Sequence, residues 1–378
     1  MSPTLVKLKH LLALLELLPS YTPHLKLGAI AKIILTTLLV LNIRAFPFVW
    51  HFRVFRPVYY VWAELYLIRL KTVFKSPSQK RLAIDKWMEQ RSPIGMSPFE
   101  FRGTFRSWAS IDESDYNFHL SNSSYAKVLD GARFKIAIQL FPQFFRAGGR
   151  MALAATHFYF IREIPILAKY EVRMTIGAWD EKWVYVICRF VTNRKRPRKN
   201  ATPQKTSEGT HSLIHAPIDD TNSGSSSSAT PLPSQMSDNS DNIVKALTAK
   251  LVTEEPDGST LHTVSISQMC YKVGRITVPP VMVFASNGMS GPPPPTSELQ
   301  QQASERYSHT NPPPHWRYVR EKSVKQMNEL FKGGWKSTPP EERWWEQAMG
   351  SIAEEKRLER LEVLGRLRKA MEGMRDMR

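Results

Sequence analysis

Between residues 99 and 194 the chain alternates apolar and polar positions in short blocks, interrupted by one block with helical spacing. Phe101, Gly103 and Phe105 alternate with Arg102, Thr104 and Arg106, which predicts a half-exposed strand within Phe99–Trp108. Tyr125, Leu129, Ala132, Ile136 and Leu140 then recur at three- and four-residue intervals, the apolar stripe of a helix over Tyr125–Leu140. Met151–Ile161 is a long strand candidate with aromatics on both faces. Tyr170, Val172, Met174 and Ile176 alternate with Glu171, Arg173 and Thr175, another half-exposed strand. After turn chemistry at Trp179–Lys182, Trp183–Val191 is a nearly continuous β-forming run. One strand, one helix, then consecutive strands is the order of an α+β domain with an antiparallel sheet.

The pattern breaks at residues 195–258. A basic run from Arg194 to Lys199 gives way to Ser, Thr, Asn, Asp and Pro, which predicts a disordered insertion. Strand character returns at Leu261–Val273, with Val264 and Ile266 on one side and Met269, Tyr271 and Val273 on the other. The last core strand is thus expected to follow a long surface loop, which is tolerable because closure cost grows slowly with length. Residues 286–315, with Pro292–Pro295 and Pro312–Pro314, predict a Pro-rich flexible linker. Residues 316–378 are helical in pattern. Leu358, Leu361, Leu364 and Leu367 recur every three residues without a sustained heptad, so a charged, exposed helix is expected, with a membrane-surface or partner-binding helix as alternatives.

The N-terminal part differs in kind. Leu25–Ile43 is almost entirely apolar or small, with Lys32 as the one charge from Leu27 onward, and about 20 such residues can span a bilayer. The run begins late and is followed by Arg44 rather than a small-residue cleavage site, which predicts an uncleaved transmembrane anchor. Leu5–Leu18 could lie in the interface or pair with the anchor. Ala45–Lys75 interleaves aromatics with arginines, the composition of a membrane–water boundary. Basic residues are denser after the anchor than before it, so the positive-inside rule places the bulk of the chain in the cytosol. The expected organisation is a membrane anchor with interfacial helices at 1–75, a core domain at 95–285 interrupted at 195–258, a linker at 286–315 and helices at 316–378.

Charge narrows the partner. Among 378 residues, 52 Lys and Arg against 34 Asp and Glu leave +18, which favours an anionic partner: a membrane surface or a phosphate-bearing ligand such as a coenzyme A ester. No nucleic-acid module accompanies the basic residues, so nucleic acid is not expected as a partner. Cys188 and Cys270 are the only cysteines, both in strand-like segments, which excludes a disulfide framework and a zinc site. No metal or cofactor is expected.

The candidate chemistry lies in Asp115–Tyr125, D-Y-N-F-H-L-S-N-S-S-Y, which joins the first strand to the helix. Ser121 or Asn122 is a suitable helix N-cap. Amides of the first turn could hold a developing oxyanion, with Asn122, Ser123 and Tyr125 placed to line the substrate. A carboxylate upstream could act as general base or nucleophile. Asp115 is the better placed acid, with Asp112 and Glu113 as runners-up; His119 could orient the loop or contact the ligand.

The pattern D-x-x-x-H-x-x-N-x-x-Y, set between a strand and a long helix, resembles the hot-dog-fold thioesterases of the 4-hydroxybenzoyl-CoA type. With the apolar N-terminal run, the chain is most similar to the membrane-anchored group of thioesterase superfamily member six and its fungal relatives. The resemblance covers residues 95–194 and 258–282. It implies a sheet wrapped around a central helix at Asn122–Leu140, paired subunits, and an acyl site near the helix start. The family's Asp falls on Asp115, its Asn on Asn122 and its Tyr on Tyr125. Two positions depart from the family pattern: Phe118 stands where active members commonly carry Gly, and Ser121 where the first Asn of H-x-N-N would be. No G-H-F-x-x-x-P-x-x-P-G dehydratase run is present.

The expected function is therefore a membrane-anchored thioesterase acting on long-chain acyl-CoA, as a homodimer with lipid as a second partner. The alternative is a non-catalytic hot-dog module that binds acyl chains or tethers partners. The expected membrane is that of the endoplasmic reticulum, with the mitochondrial membrane as the alternative. N-x-S/T sequons at Asn122 and Asn200 would stay unmodified in the cytosolic orientation.

Overall fold

A computed structural model describes residues 27–193, 253–293, 306–374 and 377. The expected interfacial segment at 5–18, residues 195–252 of the expected insertion with Asn200, and residues 294–305 of the expected linker lie outside the described residues. In chain order the helices used below are α1 (Leu27–Leu41), α2 (Val49–Lys71), α3 (Pro77–Arg91), α4 (Asn122–Leu140), α5 (Pro142–Arg146), α6 (Pro280–Ser286), α7 (Trp316–Glu321), α8 (Val324–Phe331), α9 (Trp344–Gln347) and α10 (Gly350–Gly373). The strands are β1 (Gly103–Trp108), β2 (Arg150–Phe160), β3 (Lys169–Trp179), β4 (Val184–Thr192), β5 (Thr260–Val273) and β6 (Ile276–Val278). The residues divide into two compact units. The first takes residues up to Ile84, Ala109–Ile138 and Pro165–Leu167; the second takes Asp85–Trp108, Gln139–Ile164 and the rest from Ala168.

The second unit holds one antiparallel sheet in the order β1-β3-β4-β5-β2, with β6 pairing β5. The expected α+β class with an antiparallel sheet is what the chain adopts, each strand within a few residues of its periodicity. Phe105, Val172, Phe190, Thr263 and Phe160 are register partners across the five main strands, so they share one face. Val172, Phe190 and Thr263 are fully buried there. β4 and β5 are direct neighbours although residues 193–259 separate them in sequence. An aromatic cluster closes one end. Phe144 meets Tyr271 at 5.5 Å and Phe331 at 5.3 Å between ring centroids, and Trp179 meets Phe284 at 4.9 Å. Gly149 serves that packing, because a Cβ there would fall 2.5 Å from the Phe144 ring.

Two expectations change in this unit. Residues 286–291, which composition places at the start of a flexible linker, are buried. Asn287 is fully buried; its Oδ1 accepts the Gln143 N–H at 2.8 Å and its Nδ2 donates to the Val283 carbonyl at 2.7 Å. A Cβ at Gly291 would sit 1.7 Å from the Met349 carbonyl oxygen, so this stretch packs tightly against the residue before α10. The final helix is likewise not simply an exposed charged rod. Leu364 of α10 is 8% exposed and packs with Ala178 and Tyr185, flanked by Leu361, Trp183 and Ile266. A Cβ at Gly177 would lie 2.9 Å from Leu364 Cδ1 and 3.0 Å from Ile187, so a glycine in β3 makes room for the helix. Arg357 donates to the Trp179 carbonyl at 2.8 Å, and Arg368 lies 3.5 Å from Asp180. Within the leucine stripe Leu364 is buried and Leu361 and Leu367 are half-buried, because the sheet offers small residues opposite them, while Leu358, and Val363 beside the stripe, remain exposed.

In the first unit, the apolar N-terminal run forms the 15-residue α1. Among the described residues no helix is long and apolar enough to cross a membrane, so the expected transmembrane helix finds no support in them. The run is broken after Leu41, where a short 3₁₀ turn at Ile43–Ala45 redirects the chain into α2. From Ile30 to Leu41 the side chains of α1 are exposed, as are Phe52, Tyr60, Trp62 and Tyr66 on α2. Phe55 of α2 meets Phe134 of α4 edge to face at 5.4 Å.

Candidate functional site

The loop that enters α4 is fastened at each level by its own backbone. A 3₁₀ turn at Ile111–Glu113 leads into it. The Ser121 N–H donates to the Glu113 carbonyl at 3.0 Å, Ser114 bridges Leu120, and the Asp115 N–H donates to the His119 carbonyl at 2.9 Å. The tip is closed by the Phe118 N–H donating to the Asp115 carbonyl at 3.1 Å. Outside this hairpin, the Ile166 N–H donates to the Phe118 carbonyl at 2.9 Å and His119 bridges Pro165. The tip turn places Phe118 at φ +59°, in the left-handed region. A side chain there crowds the backbone, which is why glycine is the residue such a turn favours. The Phe118 ring is 72% exposed, so it points to solvent and does not fill the loop.

This hairpin brings Asp115 and His119 together. Asp115 Oδ1 accepts the Asn117 N–H at 3.0 Å, and its Oδ2 lies 3.3 Å from His119 Nδ1. The side chains are 25% and 15% exposed, so the acid is oriented yet reachable. An imidazole carrying its proton on Nδ1 donates to Asp115; the same nitrogen is 3.4 Å from the Leu120 carbonyl. The two runner-up acids have other surroundings. Both oxygens of Asp112 are buried without a hydrogen-bond partner. Glu113 has a fully buried side chain and is committed to an ion cluster: Arg44 Nη1 reaches its Oε2 at 2.9 Å, Arg53 Nη1 its Oε1 at 2.8 Å, and Lys127 Nζ lies 3.8 Å away. Of the three acids, Asp115 is the one with a partly exposed carboxylate and a histidine beside it.

Asn122 opens α4, with Ser121 just before it. Asn122 and Ser123 are exposed at the first turn, where helices leave backbone N–H groups without an in-helix partner. Ser121 Oγ is 2.9 Å from Ser123 Oγ and 3.1 Å from Ser124 Oγ, and the Ser124 hydroxyl donates to the Glu113 carbonyl at 2.8 Å. Tyr125 is turned inward and buried. Asp115 and His119 thus lie on the hairpin that leads into α4, Asn122 and Ser123 lie exposed on the helix's first turn, and Tyr125 belongs to its packed side. An acid beside the positive end of a helix can activate a nucleophile and stabilise a developing oxyanion. Among the described residues no cluster of three or more His, Cys, Asp or Glu could hold a metal ion, and Cys188 and Cys270 are buried free thiols.

Sequence reasoning missed the ion cluster under the loop. Glu113 stood as a spare acid and Arg44 and Arg53 as membrane-facing charges. Their pairing spans 69 and 60 residues, and no local spacing signals it. Ser124, which ties the helix to the Glu113 carbonyl, was also unmarked.

Residues 109–236 match the model of the thioesterase-like superfamily. The probable thioesterase atnL of Emericella nidulans is 29% identical over 174 residues, covering 40% of this chain and 51% of its own. A probable thioesterase of Saccharomyces cerevisiae is 30% identical over 139 residues, covering 36% of this chain and 56% of its own. Protein THEM6 of Xenopus laevis is 33% identical over 79 residues, covering 20% of this chain and 38% of its own. The chain spans about half the length of the curated fungal relatives it matches, 51% and 56% for these two. The matched segment begins at Ala109 and contains the whole loop from Asp115 to Tyr125, so the part of the chain that carries the candidate site is similar to the thioesterase-like superfamily of hot-dog proteins.

Proposed function

We propose that the chain hydrolyses acyl-CoA thioesters, with Asp115 as the reacting carboxylate. The observation that carries this reading is the Asp115–His119 pair: an oriented, partly exposed acid on the loop that enters a helix, within the segment matching the thioesterase-like family. Asp115 takes a proton from water as the water oxygen attacks the thioester carbonyl, or its own oxygen attacks. First-turn amides near Asn122 and Ser123 hold the oxyanion. The C–S bond then breaks: in the first route the coenzyme A thiolate takes the proton back from Asp115, and in the second the thiolate leaves as an acyl–Asp115 anhydride forms, which water hydrolyses to the free acid and the Asp115 carboxylate, the water's proton going to the thiolate. The net charge of +18 suits the phosphates of the leaving group. Curated relatives that carry the name thioesterase support the reaction class. A screen of purified protein against acyl-CoA esters of increasing chain length, with Asp115→Asn beside wild type, tests it.

The finer parts of the proposal are a long acyl chain, a membrane surface and a homodimer. An exposed apolar α1 and the exposed aromatics of α2 favour an amphiphilic substrate met at a lipid interface, with the domain on the cytosolic side of the endoplasmic reticulum or mitochondrial membrane. β2 is an edge strand of the sheet, bonded to β5 alone among the described residues, and an open edge suits pairing with a second copy. Flotation with anionic vesicles tests the first, and sedimentation at several protein concentrations tests the second.

One observation favours a second reading. Phe118 holds a left-handed turn that glycine would hold without strain. A chain that keeps this residue could bind acyl-CoA without turnover, which would register as binding in calorimetry with no hydrolysis in the screen.

A further inference from the structure

Glu113 makes contacts in three directions. Its carboxylate holds Arg44, from the 3₁₀ turn after α1, and Arg53, from α2. Its carbonyl accepts the Ser121 N–H and the Ser124 hydroxyl, which pins the hairpin's far end and the first turn of α4. Arg44 Nη1 also donates to Ser110 Oγ at 3.1 Å, so the same guanidinium grips both ends of the turn that carries Glu113. Lys127, about one turn into α4, adds a third cation at 3.8 Å. A carboxylate with no solvent exposure between these cations is held in one place, because leaving either partner strands a buried charge. Two residues beyond Glu113 stands Asp115, on a hairpin whose base is the Glu113 carbonyl.

We propose that Glu113 is a positioning residue for Asp115, and that Arg44 and Arg53 are the latch through which the N-terminal helices set the geometry of the site loop. Neither arginine nor Glu113 reacts. The cluster fixes the base of the hairpin, and the hairpin's own bonds carry that position to the Asp115 carboxylate and to the start of α4. A disturbance at α1 or α2 therefore reaches the loop through two hydrogen bonds. This rests on the proposed thioesterase reaction for its kinetic consequence, but not for its structural one.

The test compares the full chain with the double variant Arg44→Gln/Arg53→Gln and the pair Arg44→Lys/Arg53→Lys. Each arginine bonds Glu113 through Nη1 alone, so a lysine ammonium can supply the same bond. In the glutamine pair, hydrogen exchange over residues 113–121 should quicken by about tenfold, with the interior of α4 unchanged. Its kcat on acyl-CoA should fall by about tenfold with KM within about twofold, the signature of a misplaced acid rather than lost binding. The lysine pair should restore most of both. Should the glutamine pair not fold, Arg53→Gln alone is read in the same way. Unchanged loop exchange in the glutamine variants overturns the latch. So does a rise in KM at constant kcat. If wild type hydrolyses no acyl-CoA, the thioesterase reading falls while the exchange experiment still decides the latch.

Discussion

His119 Nδ1 lies 3.3 Å from Asp115 Oδ2, and the two residues are also joined by the Asp115 N–H donating to the His119 carbonyl. The imidazole therefore holds the acid from two sides: its backbone fixes where residue 115 sits and its ring fixes which way the carboxylate faces. His119→Ala removes the second and keeps the first. It should lower kcat by about ten- to a hundredfold while leaving the fold intact, because an unsteered acid still has the right chemistry but not the right direction. Steady-state kinetics on an acyl-CoA substrate, with circular dichroism as the fold control, checks this.

Phe118 gives a stability prediction that does not depend on activity. A non-glycine residue in the left-handed region costs about 1–2 kcal/mol, and glycine's greater freedom in the unfolded chain returns about 0.5–1 kcal/mol of that. Because its ring lies largely in solvent, little burial is lost on removal. Phe118→Gly should therefore stabilise by up to about 1 kcal/mol, whereas Phe118→Ala, which keeps a Cβ, should not. Denaturant unfolding of the two variants separates the cases.

Leu364→Ala should destabilise by about 2–4 kcal/mol, since it opens a cavity where α10 meets Ala178 and Tyr185. The exposed Leu358→Ala should change stability by less than about 0.5 kcal/mol. Thermal or chemical unfolding of both, side by side, tests whether the final helix is part of the fold.

Acid should weaken the second unit through two buried histidines. Burial pushes the His315 imidazole down to about 4 from its ordinary 6.5. Burial likewise holds His262 below its usual value, where Nε2 meets Thr192 Oγ1 and Nδ1 meets the Glu163 carbonyl, each at 2.8 Å. Both are neutral when folded. Below about pH 6.5 the unfolded chain takes up protons that the folded chain refuses, so the stabilisation from both is complete above that pH and is lost as pH falls, for His315 toward about 4. For His315 the loss approaches about 3 kcal/mol at the acid end. Unfolding free energy measured from pH 7.5 to 4.5 should fall with acid, and less steeply in His315→Gln.

How much of this was legible beforehand follows from the range of each interaction. Alternation at Tyr170–Ile176 announced β3 because a strand with one covered face repeats every two residues, whatever it pairs with. The stripe from Tyr125 to Leu140 announced α4 for the same local reason. The D-x-x-x-H spacing was visible too, and the hairpin converts it into a contact. Interactions across long separations were not legible. Arg53 reads as a membrane-flanking charge until its partner, 60 residues away, is known. Leu364 reads as one more leucine on a charged helix until Gly177 is seen to leave space for it. The apolar run at Leu25–Ile43 has the composition of a span, but the helix ends at Leu41 before a 3₁₀ turn, a boundary that hydropathy does not register.

The central claim is that Asp115 does the chemistry. The most direct measurement is the rate of thiol release from long-chain acyl-CoA by wild type and Asp115→Asn, each checked for the same fold and the same acyl-CoA affinity. The account predicts turnover by wild type and a loss of about a hundredfold or more in kcat for Asp115→Asn with binding retained. Equal rates in the two proteins, or acyl-CoA binding by wild type with no thiol released, would contradict it.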